Sequence, residues 1–315
     1  GPGERFHVDL ENRLAEETII HWHGLIPPVE QDGVPNNPLP MLKSGETRRY
    51  DFPIDAPGSY WMHAHTLQEQ NLLAAPLIVR SAEDLKADMQ EIVLLLHDFS
   101  FTPAEQLLAD LNGGKAMDHG TMNHGDMGGM DMGGMDMSAM DHGDMGAMNH
   151  MGGMDLNDIQ YDAYLANDRT LDDPEITQVD KGGRVRLRII NGAASTAFSI
   201  STGALTAELV AVDGKPVFPV RADLFPMSMG QRIDLVLDIP PDGGAFPILA
   251  LREGAVERTG IILATNGAAI AKLSSSAETA GPVLDLALEA GLRAMDPLQS
   301  RAADRRYTVH LAGNM

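Results

Sequence analysis

Two segments of this sequence contain a His-x-His pair: TIIHWHG (residues 18–24) and GSYWMHAH (residues 58–65). Both segments are rich in β-branched and aromatic residues and lie next to glycine or proline, a composition that predicts β-strands. In an extended strand, residues i and i+2 project from the same face. Each strand therefore directs two imidazoles to one side.

The two pairs together predict a metal site. Side by side, two such strands would present the imidazoles of His21, His23, His63 and His65 to neighbouring metal ions. Backbone hydrogen bonds usually explain a single buried histidine, but they are a poor explanation for four histidines in two pairs. Imidazole suits zinc, copper, iron and nickel alike, so the histidines alone leave the metal open.

The acidic composition excludes some partners. The 315-residue chain has a formal net charge of −22, with 23 Lys and Arg against 45 Asp and Glu. Binding to nucleic acid or to an anionic membrane depends on clustered basic residues, which this sequence lacks, so we expect neither partner. No apolar run approaches the roughly 18 residues of a membrane-spanning helix, and we expect no membrane insertion.

The pattern along the chain predicts an all-β fold. Up to about Arg80, strand signals alternate with proline- and glycine-rich turns, which is typical of a sandwich. A second domain starts near Met89 with a strand over residues 91–99. Alternating aliphatic residues predict two more half-buried strands, at residues 184–189 and 232–239. A short helix is expected from the TPAE sequence at residues 102–105 to about residue 111.

A methionine-rich segment interrupts this second domain at residues 112–155. Between residues 117 and 154 it holds twelve of the 19 methionines, four histidines, six aspartates and ten glycines. Such a segment cannot bury enough apolar surface to offset its ordering entropy, so we expect a disordered insertion. Methionines in clusters often fill cores, but here glycine and aspartate interrupt every possible apolar face.

This segment has the chemistry to capture Cu(I). Thioether sulfur is a soft ligand that favours Cu(I) and needs no deprotonation, and imidazole accepts copper in either oxidation state. A passive spacer is the alternative. The candidate ligands are Met117, His119, Met122, His124, Met127, Met130, Met132, Met135, Met137, Met140, His142, Met145, Met148, His150, Met151 and Met154.

With these motifs, the chain resembles a multicopper oxidase of the bacterial copper-resistance type, in the laccase-like superfamily of cupredoxin domains. The resemblance runs from about Phe6 to the end. It implies tandem cupredoxin-like Greek-key β-sandwiches and copper as the cofactor. It is densest in HWHGL (residues 21–25), QDGVP (31–35), GSYWMHAH (58–65), LQEQ (67–70) and APLIV (75–79).

The resemblance also implies which copper each histidine binds. In the family, the first histidine of the first pair binds the type 2 copper, and the other three bind the type 3 copper pair. This implies His21 for type 2 copper and His23, His63 and His65 for type 3 copper. The chain would thus contribute half of a trinuclear copper site.

Two acidic residues have candidate roles near these histidines. The resemblance implies that Asp32 hydrogen-bonds water near the cluster and helps to deliver protons as dioxygen is reduced, which makes it the candidate catalytic residue. Asp32-Gly33 is also a good turn dipeptide, and the two roles are compatible. Glu69 is either a partner for an imidazole N–H, as metal-binding histidines usually require, or a surface carboxylate.

Three single histidines have no place in this site. His7, His97 and His310 lie in strand-like sequence. For all three we expect structural roles with satisfied hydrogen bonds.

The chain departs from the family in two respects: it contains no cysteine, and after His150 only His310 remains to supply the further cluster histidines that the family requires. A type 1 copper requires a cysteine thiolate, two histidines and often a weak methionine ligand. The type 1 site is therefore absent here, and the resemblance implies a missing C-terminal cupredoxin domain. We assign residues 1–82 to an N-terminally incomplete first domain, 83–266 to the second, and 267–315 to a connector and the first strand of the missing third.

The predicted function is that of part of a multicopper oxidase for copper resistance. Such an enzyme oxidises Cu(I) or another one-electron donor and reduces dioxygen to water, and this fragment alone is predicted to be inactive. The alternative is a non-catalytic copper-sequestering protein that uses the methionine-rich segment. A copper nitrite reductase ranks last, because it requires a cysteine ligand. The family resemblance implies a periplasmic protein whose export signal lies upstream of Gly1.

Overall fold

A computed structural model describes residues 1, 3–36, 38–112, 156 and 159–310 of the chain. Across these residues the regular secondary structure is mostly β-strand with few helices, which confirms the predicted all-β fold. The predicted disordered insertion lies outside the described residues, apart from residue 112, which ends a helix. No helix in the described ranges is both long and apolar enough to cross a bilayer.

The N-terminal part folds as two small antiparallel sheets. Its strands are β1 (Arg5–Glu11), β2 (Ile20–His23), β3 (Thr47–Pro53), β4 (Gly58–Ala64) and β5 (Ala74–Val79). One sheet pairs β1 with β3, and the other has the order β2-β4-β5. Trp22, Tyr50 and Phe52 are buried between the two sheets. Because side chains alternate along a strand, burial of Trp22 turns His21 and His23 to the opposite face of β2.

The remaining strands build a larger sandwich. They are β6 (Gln90–Phe99), β7 (Ala163–Ala166), β8 (Ile176–Val179), β9 (Arg184–Asn191), β10 (Phe198–Ser201), β11 (Ala207–Val212), β12 (Lys215–Ala222), β13 (Leu224–Met227), β14 (Arg232–Asp238), β15 (Ala245–Arg252) and β16 (Arg258–Thr265). One sheet has the order β12-β11-β14-β9-β6-β7 and the other β13-β10-β15-β16-β8. Leu94, Leu187, Phe198 and Ile248 belong to the core that they share.

The helices are short and lie at the edge of this core, to which the first of them contributes Leu107. Helix α1 (Ala104–Asn112) follows β6 and matches the helix predicted from the TPAE sequence. Helix α2 (Ala287–Gly291) belongs to the connector, which contacts the second sandwich through isolated bridges such as Val217 with Ala294. Most of the connector is exposed.

The outward face of β4 packs against the outward face of β6 and β9. Trp61 lies between Leu95 and Ile190 in a small apolar cluster. Further along, Arg188 is fully buried and its guanidinium donates to Asp234 at 2.8 Å, so the two charges at this junction are paired. This packing brings the face of β4 that carries His63 against the second sandwich.

Candidate metal centre

The structure brings the four paired histidines together. Strands β2 and β4 are antiparallel neighbours, and His21 lies directly opposite His63. The ring centroid of His21 lies 5.5 Å from those of His23 and His63 and 5.7 Å from that of His65. Both strands thus place their imidazoles on one face, as the period of two along an extended strand predicts.

Three of these rings converge closely. Ligand atoms of His21, His23 and His63 all lie within 4.8 Å of one another. Within this group, His23 Nδ1 lies 3.4 Å from His63 Nε2. Two nitrogens that share one ion through bonds of about 2 Å lie about 3 Å apart, so the separation fits a common ion. The ring of His65 lies beside this group, 5.8 Å from that of His63.

The far nitrogens of two rings are anchored. His21 Nδ1 donates to the backbone carbonyl of Asp32 at 2.7 Å. His63 Nδ1 lies 3.1 Å from the carbonyl of Ala64 and 3.2 Å from Glu69 Oε1. Metal-binding histidines usually donate their second N–H to a carbonyl or carboxylate, which leaves the other nitrogen free for the ion. The donor set therefore fits a metal that prefers imidazole.

Glu69 is held beside His63 by a short 3-10 helix, Leu67–Asn71. Thr66 caps this helix by accepting the backbone N–H of Gln68, and Leu72 ends it in the left-handed conformation at φ 62°. Of the two roles considered for Glu69, the geometry favours the partner of an imidazole N–H.

Asp32 lies at the edge of the cluster. It follows the 3-10 helix Val29–Gln31, and its carboxylate lies 3.4 Å from His21 Nδ1. Its side chain is about one-third exposed, at 31%. The predicted turn is present: Gly33 has φ +84°, and an ideal Cβ there would lie 1.9 Å from the carbonyl oxygen of Ile20. The proton-delivery role of Asp32 stays a prediction.

Burial favours the neutral form of two rings at this site, those of His21 and His23. Desolvation, and after it the positive charge of Arg232, together lower the pKa of His23 to about 3. Desolvation also lowers the pKa of His21, against the opposing effect of Asp32. A neutral imidazole retains the lone pair that a metal ion requires.

The sequence did not indicate the residues that enclose His23. Trp61 stacks on His63, with centroids 4.2 Å apart, and on His23, with centroids 5.0 Å apart. Its position two residues before His63 places it on the same face of β4, so strand periodicity could have identified it. Gly230 and Arg232 come from the second sandwich, and no local pattern marks them as neighbours of a histidine in β2.

The three single histidines differ from one another. His7 is exposed and lies 3.6 Å from Asp51. His310 is exposed and lies outside any described strand. His97 is 2% exposed, and neither ring nitrogen has a hydrogen-bond partner among the described residues. The satisfied role expected for His97 is therefore wrong, because sequence indicates burial on a strand but not hydrogen-bond partners.

The candidate Cu(I) ligands between Met117 and Met154 lie outside the described residues. The described residues before and after this segment both contact the 3-10 helix that carries Glu69. Helix α1 packs against it, and Tyr161 donates a hydrogen bond to Gln70 at 3.2 Å.

Comparison with known proteins agrees with this geometry. Two family models described as multicopper oxidase match residues 2–84 and 91–275. Copper resistance protein A of Escherichia coli is 32% identical over 265 residues, which cover 82% of this chain and 43% of that protein. Multicopper oxidase MmcO of Mycobacterium tuberculosis is 30% identical over 80% of this chain and 47% of its own length. The chain thus spans less than half the length of these relatives.

Solved structures show the same fold. Fet3p, described as a multicopper oxidase that functions in iron import, superposes with a TM-score of 0.71 at 16% identity, over 96% of this chain and 52% of that one. The blue copper oxidase of Nitrosomonas europaea gives 0.58 at 19% identity, over 84% of this chain and 74% of that one. The predicted fold of tandem cupredoxin-like Greek-key sandwiches is confirmed, and the chain belongs to the multicopper oxidase family, of the bacterial copper-resistance type.

Proposed function

We propose that His21, His23, His63 and His65 supply half of a trinuclear copper site, with His21 at the type 2 copper and the other three at the type 3 pair. The observation that carries the proposal is the convergence of these rings from β2 and β4, with three ligand atoms within 4.8 Å of one another. The anchored Nδ1 atoms of His21 and His63 support it.

Residues 1–82 and 83–266 are the first two cupredoxin-like domains of the complete oxidase in this proposal, and 267–315 leads to a third. The remaining cluster ligands and the cysteine-dependent type 1 copper belong to that C-terminal domain, because the sequence has no cysteine. The chain alone is therefore expected to be inactive as an oxidase. The periplasm is the proposed location, since copper resistance protein A is among its relatives.

Copper at this site supplies the one-electron chemistry by which dioxygen is reduced to water. The residues of this chain would orient the copper ligands, deliver protons to the site and exclude water from it. Asp32 would pass protons inward in this proposal, which its partial exposure and the 3.4 Å between its carboxylate and His21 Nδ1 support. Trp61 covers the cluster on the side of the second sandwich and excludes bulk water there.

Cu(I) is the proposed electron donor. In this proposal the methionine-rich segment binds Cu(I) and supplies it to the oxidase. The segment's thioethers favour Cu(I) over Cu(II). The alternative, a copper-sequestering protein without catalysis, rests on the same segment together with the absence of cysteine. Oxygen consumption by the protein with its complete natural reading frame separates the two: copper-dependent consumption supports the oxidase, and copper binding without consumption supports the carrier.

The ligand assignment is tested by Cu(II) binding to the metal-free chain, in competition with a chelator. The background carries alanine at His119, His124, His142 and His150, so that the insertion offers no imidazole. Replacing His63 and His65 together by alanine should weaken binding at least about tenfold, because two of the four ligands are lost.

The matched control replaces the exposed His7 and His310 by alanine and should leave Cu(II) affinity unchanged. Equal affinity in the His63/His65 variant and in the control would contradict the assignment.

A further inference from the structure

His23 differs from the other two converging histidines in how its ring is held. His21 and His63 each donate Nδ1–H to a carbonyl or carboxylate. Within the described residues, His23 has no such partner: its Nδ1 faces His63 Nε2. The orientation of His23 must therefore come from packing.

One ring face of His23 is covered by Trp61, at an interplanar angle of 29°. The Cε1–Nε2 edge of the ring faces Gly230, in the turn before β14. An ideal Cβ at Gly230 would lie 3.0 Å from His23 Cε1 and 3.3 Å from Nε2, closer than an ordinary carbon contact of about 3.5 Å. A methyl group at this position would press on the ring and displace it by a few tenths of an ångström.

The turn that carries Gly230 is fixed by hydrogen bonds. Gly230 N donates to the carbonyl of Asn191 at 2.8 Å, and Asn191 N donates to the carbonyl of Gln231 at 3.0 Å. Gln231 N in turn donates to the carbonyl of Ser228 at 3.2 Å. Asn191 is fully buried. The surface presented to His23 is thus a rigid piece of backbone.

Arg232 connects this turn to both histidine-bearing strands. Its side chain is buried, Nε donates to the carbonyl of Ser59 at 3.2 Å, and Nη1 donates to the carbonyl of Gly230 at 3.0 Å. Nη2 packs directly over Gly24, where an ideal Cβ would lie 2.2 Å from it. One guanidinium therefore contacts the start of β4, the residue after His23 and the turn itself.

We propose that Gly230 and Arg232 are positioning residues of the copper site: the second sandwich sets the orientation of His23 and directs its Nδ1 at the shared ion. The inference rests on the proposed function of the histidine cluster. Residues of the second domain would thus help to form a copper site whose described ligands all lie in the first domain.

The first test replaces Gly230 by alanine. The matched control is Gly267→Ala, because Gly230 and Gly267 have similar positive φ angles, +73° and +78°, but an ideal Cβ at Gly267 meets nothing within 4 Å. Both variants carry the same backbone strain, and only Gly230→Ala touches a ring. The background is the one with the insertion histidines replaced by alanine.

Three readouts follow. In the metal-free chain, a nuclear Overhauser effect between His23 Hε1 and the Gly230 Hα protons is expected. Cu(II) affinity should fall about tenfold in Gly230→Ala and stay at the unsubstituted value in Gly267→Ala, as is typical when an outer partner of a ligand is lost. Pulsed electron paramagnetic resonance should show one fewer coupled imidazole nitrogen in Gly230→Ala alone.

The second test is Arg232→Lys, which keeps the charge but loses the fork that bonds Ser59 and Gly230 together. It should weaken Cu(II) binding, whereas Arg221→Lys, at an exposed ion pair on β12, should not.

Absence of the Overhauser effect, or equal copper affinity and coupling in Gly230→Ala and Gly267→Ala, would overturn the positioning role. Failure of the unsubstituted chain to bind Cu(II) would instead overturn the proposed copper site, and the metal-free Overhauser measurement would still decide whether Gly230 holds His23.

Discussion

Ser59 Oγ on β4 donates a hydrogen bond to Asp234 Oδ1 on β14, and so joins the strand that carries His63 to the second sandwich. The same carboxylate accepts from the guanidinium groups of Arg186 and Arg188. Asp234 is 1% exposed and Arg188 is fully buried. Arg186 and Arg188 also pair with Asp84 and Glu91, which are more exposed, so removing the Asp234 charge leaves the buried Arg188 guanidinium with less compensation.

Asp234→Asn is therefore expected to lower the free energy of unfolding by about 3 kcal/mol. Asp238→Asn is the matched control, because Asp238 pairs with Arg184 across the same two strands but is 79% exposed. The control should cost about 0.5 kcal/mol or less. Urea denaturation of the metal-free chain measures both, and similar losses in the two variants would contradict the expectation.

Glu69 is expected to support copper binding through His63. Glu69→Ala removes the carboxylate that lies 3.2 Å from His63 Nδ1 and should weaken Cu(II) binding about tenfold, because the ring loses part of its anchor. Chelator competition in the background without insertion histidines measures the change. Glu30→Ala removes an exposed carboxylate from the neighbouring 3-10 helix and should have no effect. If both variants bind copper equally, Glu69 is only a surface group.

The histidine pairs could be predicted from sequence because their geometry is local. A strand repeats every two residues, so a His-x-His pair fixes two rings on one face before any tertiary contact is known. The contacts of His23 could not be predicted in this way. Gly230 and Arg232 lie in a turn and at the start of β14, and only the packing of two sandwiches brings them to β2. In the sequence, a glycine that leaves space for a neighbouring imidazole ring cannot be distinguished from one that a turn conformation requires.

The absence of cysteine predicts the colour of the copper-loaded chain. Blue copper sites owe their intense absorption to a cysteine thiolate ligand, and this sequence has no cysteine. Cu(II) bound by the chain should therefore show only weak visible bands. Titration with Cu(II) under an absorption spectrometer measures this, with a cysteine-containing blue copper protein as the positive control. An intense blue band would contradict the proposal that the type 1 site lies outside this chain.

The buried His97 should make the free energy of unfolding depend on pH, and replacing His97 should remove that dependence. Burial lowers its pKa, because protonation of the buried ring is unfavourable. In the unfolded chain the ring protonates below about pH 6.5, so this ring's contribution lowers the free energy of unfolding as pH falls through that value. His97→Leu also removes two buried nitrogens that have no hydrogen-bond partner among the described residues, and it should stabilise the chain by about 1 kcal/mol at pH 7. The gain should be larger at pH 5. Urea denaturation at both pH values measures this gain, with His7→Leu at an exposed position as the control. An equal gain from His97→Leu at both pH values would contradict the lowered pKa of His97.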